Sequence, residues 1–310
     1  MSTPSNPSIT LDRSFEYPSA THSYRVRWTV LGHSSNPPLI FIHGTPWSSK
    51  VWYTYAEAFA KYFRVYLFDN PGFGESPLGQ PLPEKQHLIT EDIALDADLA
   101  QQSEVFAALY KFWERDWKDG QRAHVVAHDH GGLMSLRAFL LHDCVYASLC
   151  LIDVVAIGPF GKPLFKLVAE NENIFHAFTG PVFEGVVESY IRDAAHTEIG
   201  KETMHMLKAP WINTEQGRKG FVRQMAQANS RNTDEIESRY PEIGRRISIR
   251  IIWGKEDKWL PVEGAYRLAE KLNISPGDVA EIEGAGHLVM YDQEGKLGVE
   301  LGVWLSQTEK

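Results

Sequence analysis

Tyr24 to Val30 alternates aromatic or branched residues with polar ones, and this period-two pattern predicts a half-exposed antiparallel strand. Pro38–Ile42, Val65–Phe68, Ala123–Ala127 and Ala147–Ile152 are short apolar runs instead. Runs without alternation suit parallel strands covered on both faces. Between the first two, Val51, Tyr55, Phe59 and Tyr62 recur at helical spacing, and a second helix fits Leu95–Trp113 with Leu99, Val105, Ala108 and Leu109 among its apolar positions. A helix from about Gly132 to Leu141 follows the third run. Later come a strand at Ile247–Trp253, a helix at Gly264–Leu272, a strand at Val279–Ile282 and a closing helix at Leu297–Leu305. Strand and helix in alternation predict an α/β fold with a doubly wound, mostly parallel sheet and an antiparallel edge.

The interval from about Val155 to Pro241 breaks this rhythm. It is too long for a loop in a compact domain, has no convincing strand, and is rich in aromatics and histidines: Phe160, Phe165, Phe175, His176, Phe178, Phe183, Tyr190, His196, His205, Trp211 and Phe221. It reads as an inserted helical lid. The expected division is a core of residues 1–154 and 242–310 with a lid at 155–241. Most of the lid aromatics are expected to pack against the core, and the remainder to line a pocket.

Four segments carry candidate chemistry. Ala127-His128-Asp129-His130-Gly131 follows an apolar strand and sets one carboxylate between small residues, as a tight strand-to-helix turn requires. A carboxylate adds poorly to carbonyls, because the product is a mixed anhydride. At an sp³ carbon it can displace a halide or open an epoxide, leaving an ordinary ester. His43-Gly44-Thr45-Pro46-Trp47-Ser48-Ser49 ends the first parallel strand. Its glycine permits close approach, and Pro46 restricts Thr45, so a backbone amide can face a developing negative charge. The N–H of Trp47 or Thr45, with that of His130, is the expected oxyanion hole. Glu283-Gly284-Ala285-Gly286-His287 places small residues before a histidine, which makes His287 the leading base among twelve histidines. Trp253-Gly254-Lys255-Glu256-Asp257 supplies an acid to orient that imidazole. Asp153, at the end of another strand, is the alternative acid, or else a cap of the turn that follows.

Composition narrows the partners. The chain has 310 residues, 43% of them hydrophobic, enough for one α/β domain with an insertion. A formal charge of −9 argues against nucleic acid or an anionic membrane as partner and favours a neutral small-molecule substrate. The two cysteines, Cys144 and Cys150, sit among apolar residues and read as reduced thiols. The opening Met1–Ser14 has no basic or apolar region of a signal peptide, and no run reaches membrane-spanning length. A cytoplasmic monomer or homodimer without cofactor is expected.

In the order oxyanion loop, nucleophile, acid and histidine, these segments resemble the α/β-hydrolase superfamily over roughly Ile40 to Leu305. Phe68-Asp69-Asn70-Pro71-Gly72-Phe73-Gly74-Glu75-Ser76 is similar to the turn after that family's next strand. The resemblance implies an eight-stranded, mostly parallel sheet with helices on both faces. An aspartate in the turn resembles two branches, the epoxide hydrolases and the haloalkane or haloacid dehalogenases, and both imply an alkyl-enzyme ester. Haloalkane dehalogenases carry Asn where this chain has Thr45 and Trp where it has His130, so the expected halide donors are missing. The arginines of fluoroacetate-type dehalogenases are replaced by His130 and Leu133. Epoxide hydrolases protonate the opening oxygen with lid tyrosines, and Tyr190 is the tyrosine well inside the lid, with Tyr240 near its end. His176 and His205 are alternative donors. Asp257 matches the commoner acid position and is favoured over Asp153. His43, Pro46, His176, Tyr190, His205 and Trp211 are the expected substrate contacts. Epoxide hydrolysis to a diol is thus the leading expectation. Alternatives are dehalogenation, a cofactor-free lyase or cyclase using Asp129 as base, a metal held by His124, His128, Asp129 and His130, and a non-catalytic ligand-binding protein.

Overall fold

The computed structural model describes residues 9–88, 97–158 and 163–308. A nine-stranded sheet forms the centre, with strands β1 (Arg13–Pro18), β2 (His22–Leu31), β3 (Pro38–Ile42), β4 (Arg64–Phe68), β5 (Gln80–Pro81), β6 (His124–His128), β7 (Ser148–Ile152), β8 (Ser248–Gly254) and β9 (Val279–Ile282). The order is β1-β2-β4-β3-β6-β7-β8-β9, with the two-residue β5 added beside β2. Eight strands therefore make the main path. Pairs from β4 to β9 are parallel, and β1, β2 and β5 supply the antiparallel edge.

The apolar runs are explained by cover on both faces. Leu39, Phe41, Val126, Cys150 and Ile152 point into one core layer, and their alternates Ile40, Ile42, Val125, Ala127, Leu149 and Leu151 into the other. The first layer is closed by α1 (Tyr53–Phe59) and α13 (Glu294–Thr308). The second is closed by α2 (Leu99–Glu114), α3 (His130–Leu141) and α11 (Glu263–Leu272). A buried residue of this size contributes about 1.5–3 kcal/mol. Both cysteines are buried and free, and burial pushes the Cys144 thiol up to about 12. Asp98 caps α2 by accepting from the Ala100 and Gln101 amides, which puts the helix start at Leu99; the expected start at Leu95 lies outside the described residues. Tyr62 is 60% exposed, so the first helix ends at Phe59 and the apolar spacing overran it.

Between β7 and β8 the described residues contain helices and no strand: α4 (Pro163–Glu170), α5 (Glu172–His176), α6 (Gly180–Ala194), α7 (Lys201–Ile212), α8 (Glu215–Ala226), α9 (Arg231–Asp234) and α10 (Tyr240–Gly244). Phe183, Val187, Tyr190, Ile191 and Ala194 make the buried stripe of α6. Tyr240 and Ile243 belong to the sheet's second core layer, and the Tyr240 hydroxyl donates to the Ala156 carbonyl at 2.6 Å, so α10 packs with the core. Phe160 lies outside the described residues. Among the described residues no helix is long and apolar enough to cross a membrane.

Candidate active site

Parallel strands end together, and their carboxyl edge gathers side chains that are far apart in sequence. The loops after β3, β6, β7, β8 and β9 deliver Thr45, Asp129, Asp153, Asp257 and His287 to that edge. Asp129 occupies the turn between β6 and α3 at φ 52° and ψ −126°, a conformation that an L residue holds only when its surroundings enforce it. Gly44 is part of the enforcement: a Cβ there would lie 2.4 Å from the Asp129 Cβ. The loop after β3 can thus approach the carboxylate with bare backbone.

The two oxygens of Asp129 are in different situations. Oδ2 accepts the Thr45 N–H at 2.7 Å, whereas Oδ1 lies 3.7 Å from His287 Nε2. Burial alone would raise the Asp129 carboxyl. His130 and His287 beside it, with the Thr45 amide, outweigh burial and hold it below the usual carboxylate range. The carboxylate is therefore ionised and anchored by one oxygen.

His287 Nδ1 bonds Asp257 Oδ2 at 2.8 Å, and Asp257 Oδ1 accepts the amides of Trp259 and Leu260 at 2.6 and 3.0 Å. The acid is fixed before it fixes the imidazole. Asp153 is the other carboxyl at this edge, fully buried at φ 43°, with Oδ1 accepting the Gly254 N–H at 2.8 Å. Its Oδ2 has no hydrogen-bond partner among the described residues. Burial first, and then the charge of Asp257, raise the Asp153 carboxyl well above the ordinary range, so it keeps its proton. Asp257, not Asp153, is the carboxyl bonded to His287.

That raised carboxyl gives a sign for stability. The fold binds Asp153 neutral, so its contribution is complete below the unfolded value and is lost as pH rises toward the folded one. Asp153→Asn is expected to raise the melting temperature by a few degrees, more at pH 8 than at pH 5, with turnover retained. Thermal melts at both pH values check this; loss of turnover in this variant but not in Asp257→Asn would reverse the assignment of the two acids.

Several expected contacts change place. The Trp47 N–H donates to the Gly44 carbonyl at 3.1 Å, closing the turn, so Thr45 and not Trp47 supplies the amide that faces Asp129. His130 opens α3, where first-turn amides point out of the helix end, and its Nδ1 is 3.1 Å from Thr45 Oγ1. His43 is a brace: Nδ1 donates to the Gly44 carbonyl at 2.8 Å and Nε2 accepts the Asn70 N–H at 2.9 Å, so backbone engages both ring nitrogens. Asp69 ties the same two loops by accepting the Ser49 and Glu75 amides, each at 2.7 Å. Pro46 is buried, and its carbonyl accepts the Trp211 indole N–H at 3.0 Å, so Trp211 fastens α7 onto the loop after β3. His176 and His205 are exposed on α5 and α7, and the structure does not bring them to Asp129: each lies on the outward face of its helix. His176 lines a surface groove with Thr214 and Arg218. His124 stands at the opposite end of β6, bonded to Ser148 Oγ at 2.8 Å, so the alternative four-residue metal set is not assembled; among the described residues no group of three or more His, Cys, Asp or Glu side chains is placed to hold a metal ion.

Tyr190 reaches the site from α6. Its hydroxyl is buried with no hydrogen-bond partner among the described residues. Burial, followed by the charges of Asp129 and Asp193, raises this phenol well above its ordinary value and keeps it protonated. Its ring packs 4.4 Å from that of Trp259, which lies 4.9 Å from the His287 ring and 6.2 Å from that of Trp47. Trp259 is the wall residue that sequence reasoning missed, and its place two residues past Asp257 was the available signal. His128 was also missed in its actual setting: its Nε2 donates to the His287 carbonyl at 2.8 Å, and burial lowers it to about 3, so it stays neutral.

The arrangement offers an anchored carboxylate, an imidazole–carboxylate pair facing it, and a protonated phenol above. An alpha/beta hydrolase family model matches residues 39–297. An alpha/beta hydrolase fold protein from Burkholderia ambifaria is 30% identical at a TM-score of 0.79, covering 94% of this chain and 97% of that one. A haloalkane dehalogenase from Bradyrhizobium elkani is 16% identical at a TM-score of 0.68, covering 96% of this chain and 98% of that one. The dihydrolipoyllysine-residue acetyltransferase component of an acetoin cleaving system from Pseudomonas putida is 24% identical over 279 residues, 86% of this chain and 63% of that protein. The chain thus spans less than two thirds of that curated relative's length. With the match running from the first parallel strand into the last helix, the chain belongs to the alpha/beta hydrolase family.

Proposed function

We propose that the protein hydrolyses a neutral, largely apolar epoxide to a diol through an ester on Asp129. The observation that carries this is the division of labour within one carboxylate, Oδ2 held by the Thr45 amide at 2.7 Å and Oδ1 turned toward His287. Oδ1 attacks an epoxide carbon, its C–O bond breaks, and Tyr190 gives its proton to the departing oxygen. Oδ2 becomes the ester carbonyl, already in its oxyanion hole. His287 then takes a proton from water, and the hydroxide adds to the Asp129 carbonyl carbon. The 3.7 Å between Nε2 and Oδ1 is longer than a hydrogen bond, which suits an intervening water. The Thr45 and His130 amides hold the resulting oxyanion, each contributing about 3–4 kcal/mol. Collapse expels the diol's alkoxide oxygen, which takes the proton held by the His287 imidazolium, and the proton on the regenerated Asp129 carboxyl returns to the Tyr190 phenolate. Helices α4 to α8 act as the lid that keeps bulk water away.

The lowered Asp129 carboxyl counts against the reading in which it is a base, because a carboxylate so stabilised binds protons weakly. One observation favours dehalogenation as a second reading: the Trp47 indole N–H is buried with no partner among the described residues, beside Trp259, and could serve a halide.

A single turnover in ¹⁸O-water tests the ester. Label is expected in the peptide that carries Asp129 after one cycle, because water attacks the carboxyl carbon. Label found only in product would overturn the scheme.

A further inference from the structure

One carboxylate joins the C-terminal end of α6 to the loop of His287. Asp292, the last residue of α12 (Val289–Asp292), accepts the Gly286 and His196 amides at Oδ2, both at 2.8 Å. Its Oδ1 accepts the Thr197 amide at 2.7 Å and the Thr197 hydroxyl at 2.6 Å. Bonds to an ionised acceptor are stronger than neutral ones. The Leu288 N–H adds a bond to the Ala194 carbonyl at 3.2 Å. Gly286 makes this approach possible, since a Cβ there would lie 2.8 Å from His196 N and 2.9 Å from the Ala194 oxygen. The same end of α6 is also tied to the acid turn: Asp193 Oδ2 accepts the Trp259 indole N–H at 2.8 Å, and the Trp259 amide donates to Asp257. Tyr190 stands one turn before this junction.

We propose that Asp292 is a positioning residue that makes the end of α6 and the His287 loop one block, holding Tyr190 and His287 in a fixed relation above Asp129. The block follows from geometry alone; its kinetic consequence rests on the ester mechanism.

Asp292→Ala, with Asp292→Asn as the milder variant that keeps one acceptor oxygen, tests this in two ways. By hydrogen exchange, the amides of Gly286, His196 and Thr197 and the segment from Tyr190 onward are expected to exchange about tenfold faster or more in Asp292→Ala. In a His287→Gln background, adduct formation with styrene oxide is expected to fall about tenfold, as misplacing a proton donor would cause. With butyl bromide, whose leaving group needs no proton, the rate should hold. Asp292→Asn should fall between wild type and Asp292→Ala in both measurements. Unchanged exchange in the Tyr190 segment, or equal slowing with both probes, would overturn the proposal. Should the His287→Gln protein with Asp292 intact form no adduct with either probe, the ester reading fails and the exchange result alone decides the block.

Discussion

Replacing His287 by glutamine is expected to leave a covalent ester on Asp129 and to lower turnover by roughly 10²–10⁴, the usual worth of a general base. Glutamine is close in size to histidine and can still donate toward Asp257, so the acid turn retains a partner in place of the Nδ1 bond of 2.8 Å. In the proposed mechanism the first step does not use the imidazole as base: Asp129 is held below the usual carboxylate range by its surroundings, and the leaving oxygen would take its proton from Tyr190. The second step loses the group that activates water. Intact-mass spectrometry after incubation with a panel of epoxides and haloalkanes should therefore show the protein plus one substrate mass for an epoxide, or plus the alkyl group for a halide. The size of the increment separates the two chemistries. Rapid product release without a detectable adduct would show that His287 is not the residue that frees the ester.

Asp129→Asn removes the nucleophile and should abolish turnover, by a factor on the order of 10⁴ or more if no residual route remains. The side-chain carbonyl of asparagine can still accept the Thr45 N–H, so the strained turn keeps its anchor and the fold should persist. The combination Asp129→Asn with His287→Gln should yield no adduct with any probe, in contrast to His287→Gln alone. Slow return of activity on standing, with a gain of one mass unit, would mark deamidation back to aspartate. Full activity without that change would overturn the covalent mechanism. The pH dependence carries a sign as well. Since His287 is one of the groups that hold the Asp129 carboxyl below the usual carboxylate range, ester formation in a rapidly quenched single turnover should persist to a lower pH in the unmodified protein than in His287→Gln. Ester hydrolysis in the unmodified enzyme should fail first on acidification, because an imidazolium accepts no proton.

The pattern of apolar residues was enough for the parallel strands, though not for the half-exposed β1, because burial on both faces leaves a signature in local sequence: Leu39, Phe41, Val126 and Cys150 serve one layer and Ile40, Val125 and Leu149 the other. Turn chemistry was equally legible. Small residues around Asp129 and before His287 mark places where backbone must come close, and those constraints are written in neighbouring residues. The two-residue β5, which exists only by pairing with His22 and Ser23 of β2, and the early end of α1 at Phe59 left no such mark.

What the sequence determined by itself is thus the alternation of strands and helices and the identity of the chemical groups at the strand ends. The tertiary structure alone decided how those groups pair. Asp257 and Asp153 look alike along the chain, yet one is bonded to His287 while the other is buried with its proton, because desolvation and a neighbouring charge depend on three-dimensional surroundings. Histidines at 176 and 205 face outward while Trp259 and Tyr190 enclose the site, since helix rotation is fixed by contacts with distant elements. The hydrogen bond of 2.7 Å between Thr45 and Asp129 chose between the Thr45 and Trp47 amides, since only the folded loop shows which N–H faces the carboxylate.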